Sequence, residues 1–290
     1  METIELKQVA NADKLLRTTP PDDHGARLIK HDSKLTIGGE CIGIYMNLPP
    51  SEVAVMRDVA RSTKFVKSAR VGVVHGIPTQ SSVFGSLPRT PNRVDFCRFS
   101  GSSSSEQRNF MAAFNYSERI AAIYQEHLPE AYAYNLRLLR ENVHADWRPN
   151  DTPFTTCNFN INHAIKYHRD SGNFKGVFSN VLILKDGITG GQLVFPELGI
   201  AFEQADGALG IFDGQKWMHG VTALQKLKPN GYRASIVYYA LSGMKNCYPY
   251  KEETARFKKL RVEKEEQRAK GNPNLRKQYA KLIAEKSAGA

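Results

Sequence analysis

Two periodicities divide the chain near residue 150. Upstream, apolar residues recur at helical spacing over 106–127 and 129–142. Phe110, Phe114, Ile120 and Ile123 fall on one face, and Pro129 suits the first turn of the second helix. Downstream the period shortens to two. Over 155–163, Cys157, Phe159, Ile161 and His163 point one way, and Asn158, Asn160 and Asn162 the other. Further strands are predicted over 180–184, 200–203, 208–212, 220–224 and 232–241, with Thr189-Gly190-Gly191 as a turn into another. Roughly seven or eight short strands within about ninety residues predict a sandwich or jelly roll. The helices would buttress one side of that sheet.

The remaining pattern is weaker. Residues 41–46 read as a strand, and a helix follows from Ser51, a suitable N-cap, to about Arg61. Residues 71–74 are a short apolar strand. Residues 76–104 are rich in Gly, Pro and Ser and read as a long irregular loop; Arg89, Arg93, Asp95 and Arg98 would make it a basic contact loop. Residues 1–35 read as a loosely packed N-terminal arm. After Tyr248-Pro249-Tyr250 the chain turns Lys/Arg/Glu-rich, a basic helical tail over 251–290 with a break at Gly271-Asn272-Pro273. The domain expected between arm and tail is 36–250, its core 152–244.

Composition adds limits. The net charge is +11, and the stretch 251–290 holds twelve Lys/Arg against six Asp/Glu. A basic balance favours a polyanionic partner. No apolar run reaches the ~18 residues of a membrane helix, and the N-terminus has no apolar signal region. A cytoplasmic or nuclear protein without an obligate protein partner is expected. Cys41, Cys97, Cys157 and Cys247 lie far apart with no Cys-x-x-Cys pair, so reduced thiols are expected.

The candidate chemistry sits in Tyr167-His168-Arg169-Asp170-Ser171-Gly172-Asn173 and Trp217-Met218-His219-Gly220-Val221. A His-x-Asp followed later by a lone His is the order of a 2-His-1-carboxylate triad, which leaves open positions on iron(II). A second His-x-Asp, His144-Ala145-Asp146, lies in a turn after a helix, whereas His168 follows an alternating strand. His-Arg-Asp also occurs in protein kinases, but their Asn five residues on is Lys175 here. His75, His127 and His163 have no ligand-spaced partners and read as surface or packing residues. Arg233 lies fourteen residues beyond His219 on a strand face shared with Ser235. It is a cation suited to the distal carboxylate of 2-oxoglutarate.

With those residues in view, the run 154–244 resembles the oxygenase domain of the TET and J-binding-protein (JBP) dioxygenases. The resemblance rests on Phe154-Thr155-Thr156, the His168 and His219 stretches, Thr189-Gly190-Gly191, Phe195-Pro196-Glu197-Leu198-Gly199, and Arg233 before Val237-Tyr238-Tyr239. It implies an α+β protein with a double-stranded β-helix core. It also implies iron(II) at His168, Asp170 and His219, and 2-oxoglutarate and O2 as co-substrates. The implied reaction hydroxylates the 5-methyl group of a pyrimidine in DNA, 5-methylcytosine before thymine. A flipped base would meet residues near the metal strand: Asn158, Asn160 and Tyr167, with Arg93, Asp95 and Arg98 from the preceding loop. Two alternatives remain at this stage. One is a 2-oxoglutarate oxygenase acting on a protein side chain or small molecule, and the other a non-catalytic DNA-binding β-helix protein.

Overall fold

The alternating stretch after residue 155 lies inside a large, mostly antiparallel sheet. The computed structural model describes residues 1–9, 11–67, 73–74, 76–90 and 96–269. Its first strands are β1 (Glu2–Glu5), β2 (Arg27–Ile29), β3 (Ser33–Ile37), β4 (Glu40–Asn47), β5 (Val66–Lys67), β6 (Val73–Val74), β7 (Ile77–Pro78), β8 (Gln80–Leu87) and β9 (Arg98–Phe99). Helices α1 (Ala54–Ser62), α2 (Gly101–Ser105), α3 (Gln107–His127) and α4 (Pro129–Asn142) belong to the same half. Then come β10 (Thr156–Ile161), β11 (Ser179–Asp186), β12 (Ile188–Gly190), β13 (Leu193–Phe195), β14 (Ile200–Phe202) and β15 (Ala208–Phe212). The last elements are β16 (Gly220–Val221), β17 (Leu224–Lys226), β18 (Tyr232–Tyr239) and α5 (Tyr250–Ala269).

The main sheet runs β1-β3-β4-β15-β11-β18-β10-β8-β5, with β9 on β8. A smaller sheet, β16-β13-β14-β2, and the pair β12-β17 complete the jelly roll. The period-two pattern explains the layering. Cys157, Phe159 and Ile161 of β10, Leu182 and Leu184 of β11, and Ala234, Ile236 and Tyr238 of β18 pack with α1 and α3 in one core. Each fully buried large side chain there contributes about 1.5–3 kcal/mol. Ile183 of β11, Tyr45 of β4 and Phe212 of β15 face the other way. They pack against Leu193, Phe195, Ile200 and Phe202 of the smaller sheet. Across β10 and β18 that second face is polar, and there a cavity opens.

Four expectations change. Residues 1–35 are no loose arm. β1 pairs in parallel with β3 and β2 with β14, burying Ile4, Leu6 and Ile29. Their few apolar residues are placed singly at sheet edges and so leave no period to read. Ser51 does not cap α1; the N-cap position is Val53, without a side-chain bond. The expected loop 76–104 contains β8, an eight-residue strand paired with β10 over its first six residues. Its serines are polar but satisfied internally: Ser82 Oγ donates to Ser102 Oγ at 2.8 Å and Ser86 Oγ to the Trp147 carbonyl at 3.0 Å. Serines 102 and 103 belong to α2, whose Ser103 Oγ accepts the Gly85 N–H at 2.8 Å.

The cysteines supply the fourth change. Cys97 and Cys247 form a disulfide across 150 residues, with Cα atoms 5.7 Å apart, while Cys41 and Cys157 are free thiols. Such a separation cannot be paired from spacing. Beside the bridge, the buried Glu253 carboxylate receives the Arg89 guanidinium, the Cys97 N–H at 3.2 Å and the Tyr248 N–H at 2.8 Å. The first turn of α5 is therefore docked, and the helix follows the expected basic stretch. The Gly271-Asn272-Pro273 break lies outside the described residues. No helix among those described is long and apolar enough to cross a membrane.

Candidate metal and co-substrate site

One end of the cavity gathers three ligand-type atoms from segments far apart in sequence. His168 and His219 exchange backbone hydrogen bonds, N–H to carbonyl, at 2.8 and 2.9 Å. That two-residue bridge aligns the segment after β10 with the one leading into β16. Asp170 Oδ1 lies 3.8 Å from His168 Nε2 and 3.7 Å from His219 Nε2. All three ligand atoms fall within 4.8 Å of one another. The rival pair stays alone: His144 and Asp146 lie 3.3 Å from each other in a half-exposed turn, with no third ligand among the described residues.

The surroundings fix how these groups present themselves. His168 Nδ1 contacts the Lys166 carbonyl at 2.9 Å and His219 Nδ1 the Trp217 carbonyl at 3.0 Å. A proton on each Nδ1 completes those bonds and leaves both Nε2 lone pairs for a cation. Burial lowers the His219 pKa, against the pull of Asp170, and so favours the neutral, ligating imidazole. Ser179 Oγ donates to Asp170 Oδ2 at 2.8 Å, turning Oδ1 toward the histidines. Gly214 accepts the Asp170 N–H at 2.8 Å. A Cβ at residue 214 would overlap Asp170 Oδ2 and sit 2.9 Å from its Cγ. The donor set, one carboxylate and two imidazoles with one side open to the cavity, suits iron(II).

The other end of the cavity is cationic. Arg233, Ser235, Val237 and Tyr239 alternate along β18 onto the cavity face. Arg233 is 2% exposed. Its Nη2 donates to Gln204 Oε1 at 2.7 Å and its Nη1 to the His163 carbonyl at 3.3 Å, while its Nε is buried without a partner. Burial pushes its pKa down to about 10. The described contacts give it no carboxylate. A buried cation with a spare donor beside Ser235 fits the distal carboxylate of 2-oxoglutarate. The Gly190-Gly191 turn lets this happen: a Cβ on Gly191 would stand 2.9 Å from Arg233 Cδ, and one on Gly190 would overlap the Ala223 carbonyl.

Between the two ends, Asn158 and Asn160 of β10 line the cavity. Asn158 Nδ2 donates to Asn160 Oδ1 at 3.1 Å, and Asn158 Oδ1 is buried without a partner. Tyr167 does not join them. Its ring packs with Val194, Ala201 and Met218 on the far side, against Gly220, because adjacent residues on an extended chain project oppositely and His168 takes the cavity side. Arg98 is on β9 over the Phe96 ring and does not line the cavity; Arg93 and Asp95 lie outside the described residues.

His163, read as a surface or packing residue, lines the cavity and is 2% exposed. Asn162 has φ +57°, and this left-handed residue breaks the alternation and turns His163 across. Ser179, Gln204 and Gly214 also went unread. Ser179 opens β11, Gln204 lies two residues past β14, and Gly214 reveals itself only through its distance to Asp170.

A jelly roll with two imidazoles and a carboxylate at one end of a cavity, and a buried arginine at the other, defines an iron(II)- and 2-oxoglutarate-dependent dioxygenase. Residues 86–242 match the Tet/JBP model, the oxygenase domain of the 2OGFeDO superfamily, and the chain belongs to that family. It is 22% identical over 246 residues to thymine dioxygenase JBP1 of Trypanosoma brucei brucei, an overlap of 84% of this chain and 28% of that protein. The chain thus spans little more than a quarter of that relative's length. Its fold is similar to NgTET1 in complex with 5mC DNA: TM-score 0.55, 15% identity, 76% of this chain and 84% of the other covered. The enzyme uses iron(II), with 2-oxoglutarate and O2 as co-substrates.

Proposed function

We propose that this chain hydroxylates the 5-methyl group of a pyrimidine base in DNA, 5-methylcytosine in preference to thymine. The observation that carries the reading is the Asn158–Asn160 pair on the cavity wall between the metal ligands and Arg233. Neutral amides that both donate and accept suit the pairing edge of a base. Asn158 Oδ1 is a buried acceptor awaiting a donor. Next to the methyl-bearing carbon, cytosine offers an amino donor and thymine a carbonyl acceptor, so this acceptor favours the methylated cytosine. The relatives agree in substrate class: one is named a thymine dioxygenase, and the fold neighbour holds 5mC DNA.

In this reading His168, Asp170 and His219 hold iron(II), and Arg233 with Ser235 holds 2-oxoglutarate. Bound iron with 2-oxoglutarate and O2 supplies the oxidant, and 2-oxoglutarate leaves as succinate and CO2. Ser179 keeps Asp170 oriented, and an apolar lining of half-buried Val181 and Val237 with buried Phe212 limits the water around the reacting methyl. A base within a duplex does not reach this cavity, so the target is flipped out of the stack. The thymine alternative rests on the JBP1 likeness.

Nucleoside mass spectrometry separates these readings after incubation of the protein, iron(II), 2-oxoglutarate and duplexes with or without 5-methylcytosine. The expected product is 5-hydroxymethylcytosine. A hydroxymethyl product from thymine alone establishes the second reading, and no hydroxymethyl product from either duplex overturns both.

A further inference from the structure

An ion pair behind the cavity joins the two ligand-bearing segments. Arg169 lies between His168 and Asp170, and its guanidinium turns away from the cavity. It donates to Glu197 Oε1 at 2.5 Å and to the Lys216 carbonyl. Glu197 is 4% exposed, and its other oxygen, Oε2, accepts the Met218 N–H at 2.8 Å. Met218 immediately precedes His219. One buried carboxylate thus grips the side chain between the first two ligands and the backbone next to the third. Neither Arg169 nor Glu197 lines the cavity.

We propose that Arg169 and Glu197 are a positioning clamp that sets the mutual geometry of His168, Asp170 and His219 and so determines how tightly the metal is held. The inference rests on the triad reading. Stability alone does not explain the pair, since buried ion pairs are often replaceable by apolar residues without loss. Its bonds explain it better. The two segments are already tied through main-chain atoms, by the His168–His219 exchange, by the Val221 N–H on the Ile165 carbonyl and by the Asp170 N–H on the Gly214 carbonyl. The clamp adds a side-chain connection away from the cavity, to the Met218 N–H and the Lys216 carbonyl, and so sets the tilt of the residues that carry the ligands. Partners that orient metal ligands from behind typically change metal affinity 10–100-fold when lost.

The test is Co(II) binding to the full chain, read by its visible d–d absorption, alongside the thermal midpoint of the metal-free protein. Glu197→Ala and Arg169→Ala are each expected to raise the Co(II) Kd about 10–100-fold. Because either single variant already loses the shared Arg169–Glu197 bond, the double variant should lose less affinity than the two singles added together. The absorption bands should shift in the variants at saturating Co(II), a change that a merely structural role would not produce. If an alanine variant does not fold, the isosteric Glu197→Gln and the conservative Arg169→Lys carry the same comparison. A folded Glu197 variant with a Co(II) Kd within about twofold of wild type and unshifted bands overturns the clamp. His168→Ala is the control for the triad: retained wild-type Co(II) affinity there would sink the ligand assignment itself, whatever the clamp variants show.

Discussion

At the scale of single residues, the site depends on what is absent as much as on what is present. Gly214 is defined by the space it leaves for the Asp170 carboxylate, which Ser179 and the two histidines hold from other sides. Gly214→Ala should push that carboxylate aside and lower turnover by about 100-fold, the usual cost of an ångström of misplacement. A normal thermal midpoint with unchanged succinate production would show that the space is not needed. Arg233 carries the opposite tension. Its folded-state pKa of about 10 lies below the ordinary guanidinium value, so the folded protein holds this proton less willingly than the unfolded chain. The cost is fully present below pH 10 and is relieved as pH rises from there toward the ordinary guanidinium range. At neutral pH it amounts to on the order of 3 kcal/mol. A bound carboxylate offsets it. 2-Oxoglutarate should therefore raise the thermal midpoint of the wild type. Arg233→Met should abolish that increment while leaving the unliganded midpoint no lower. A clear fall in the unliganded midpoint, with the increment retained, would contradict both halves.

At the scale of elements, β8 shows how far local composition can mislead. Ser, Gly and Pro mark loops because their polar or flexible backbones suit water, yet this strand pairs with β10 and packs Phe84 edge-on against Phe159. Gly85, at φ +100°, is where the pairing is tightest: a Cβ would overlap the Thr155 carbonyl oxygen and stand 2.8 Å from Phe114. Gly85→Val should cost about 3 kcal/mol in urea unfolding through strain and overpacking. A loss under ~0.5 kcal/mol would mean that β8 is loosely held. What was legible in the sequence follows the same physics. The strands β10 and β18 and the helices α3 and α4 announce themselves because each has one apolar face over several residues, and β11 and β15 because they are short runs apolar on both faces. The grouping of His168, Asp170 and His219 was legible because metal chemistry restricts residue type, and the burial of Arg233 because its strand context is apolar. β1, β2 and β8 were not, since their stability comes from partners distant in the chain. Tyr167 was misplaced because nearness in sequence says nothing about side once a strand has turned, and His163 because one left-handed residue reversed the alternation.

At the scale of the whole molecule, the unequal charge distribution bears on how DNA would be engaged. Removing the entire stretch after residue 250 is a poor test of the basic tail. It would delete Glu253, strand the buried Arg89 and remove the partner of the Tyr248 and Cys97 N–H groups. The informative cut is at residue 270. Residues 270–290 hold five Lys/Arg and one Glu, so their loss takes the net charge from +11 to +7 and spares the docked turns of α5. If these cations neutralise phosphates, binding to duplex DNA should weaken, and the log–log dependence on salt should become shallower by up to about 0.9 per lost contact. Turnover of a short methylated oligonucleotide at saturating concentration should stay near wild type, because the ligands, Arg233 and the Asn158–Asn160 pair all lie before the cut. Titrations at two or more salt concentrations, with product quantified in parallel, measure both quantities. An unchanged salt slope would place the DNA contacts on the oxygenase core. A collapse of turnover at saturation would mean that the tail also takes part in presenting the base.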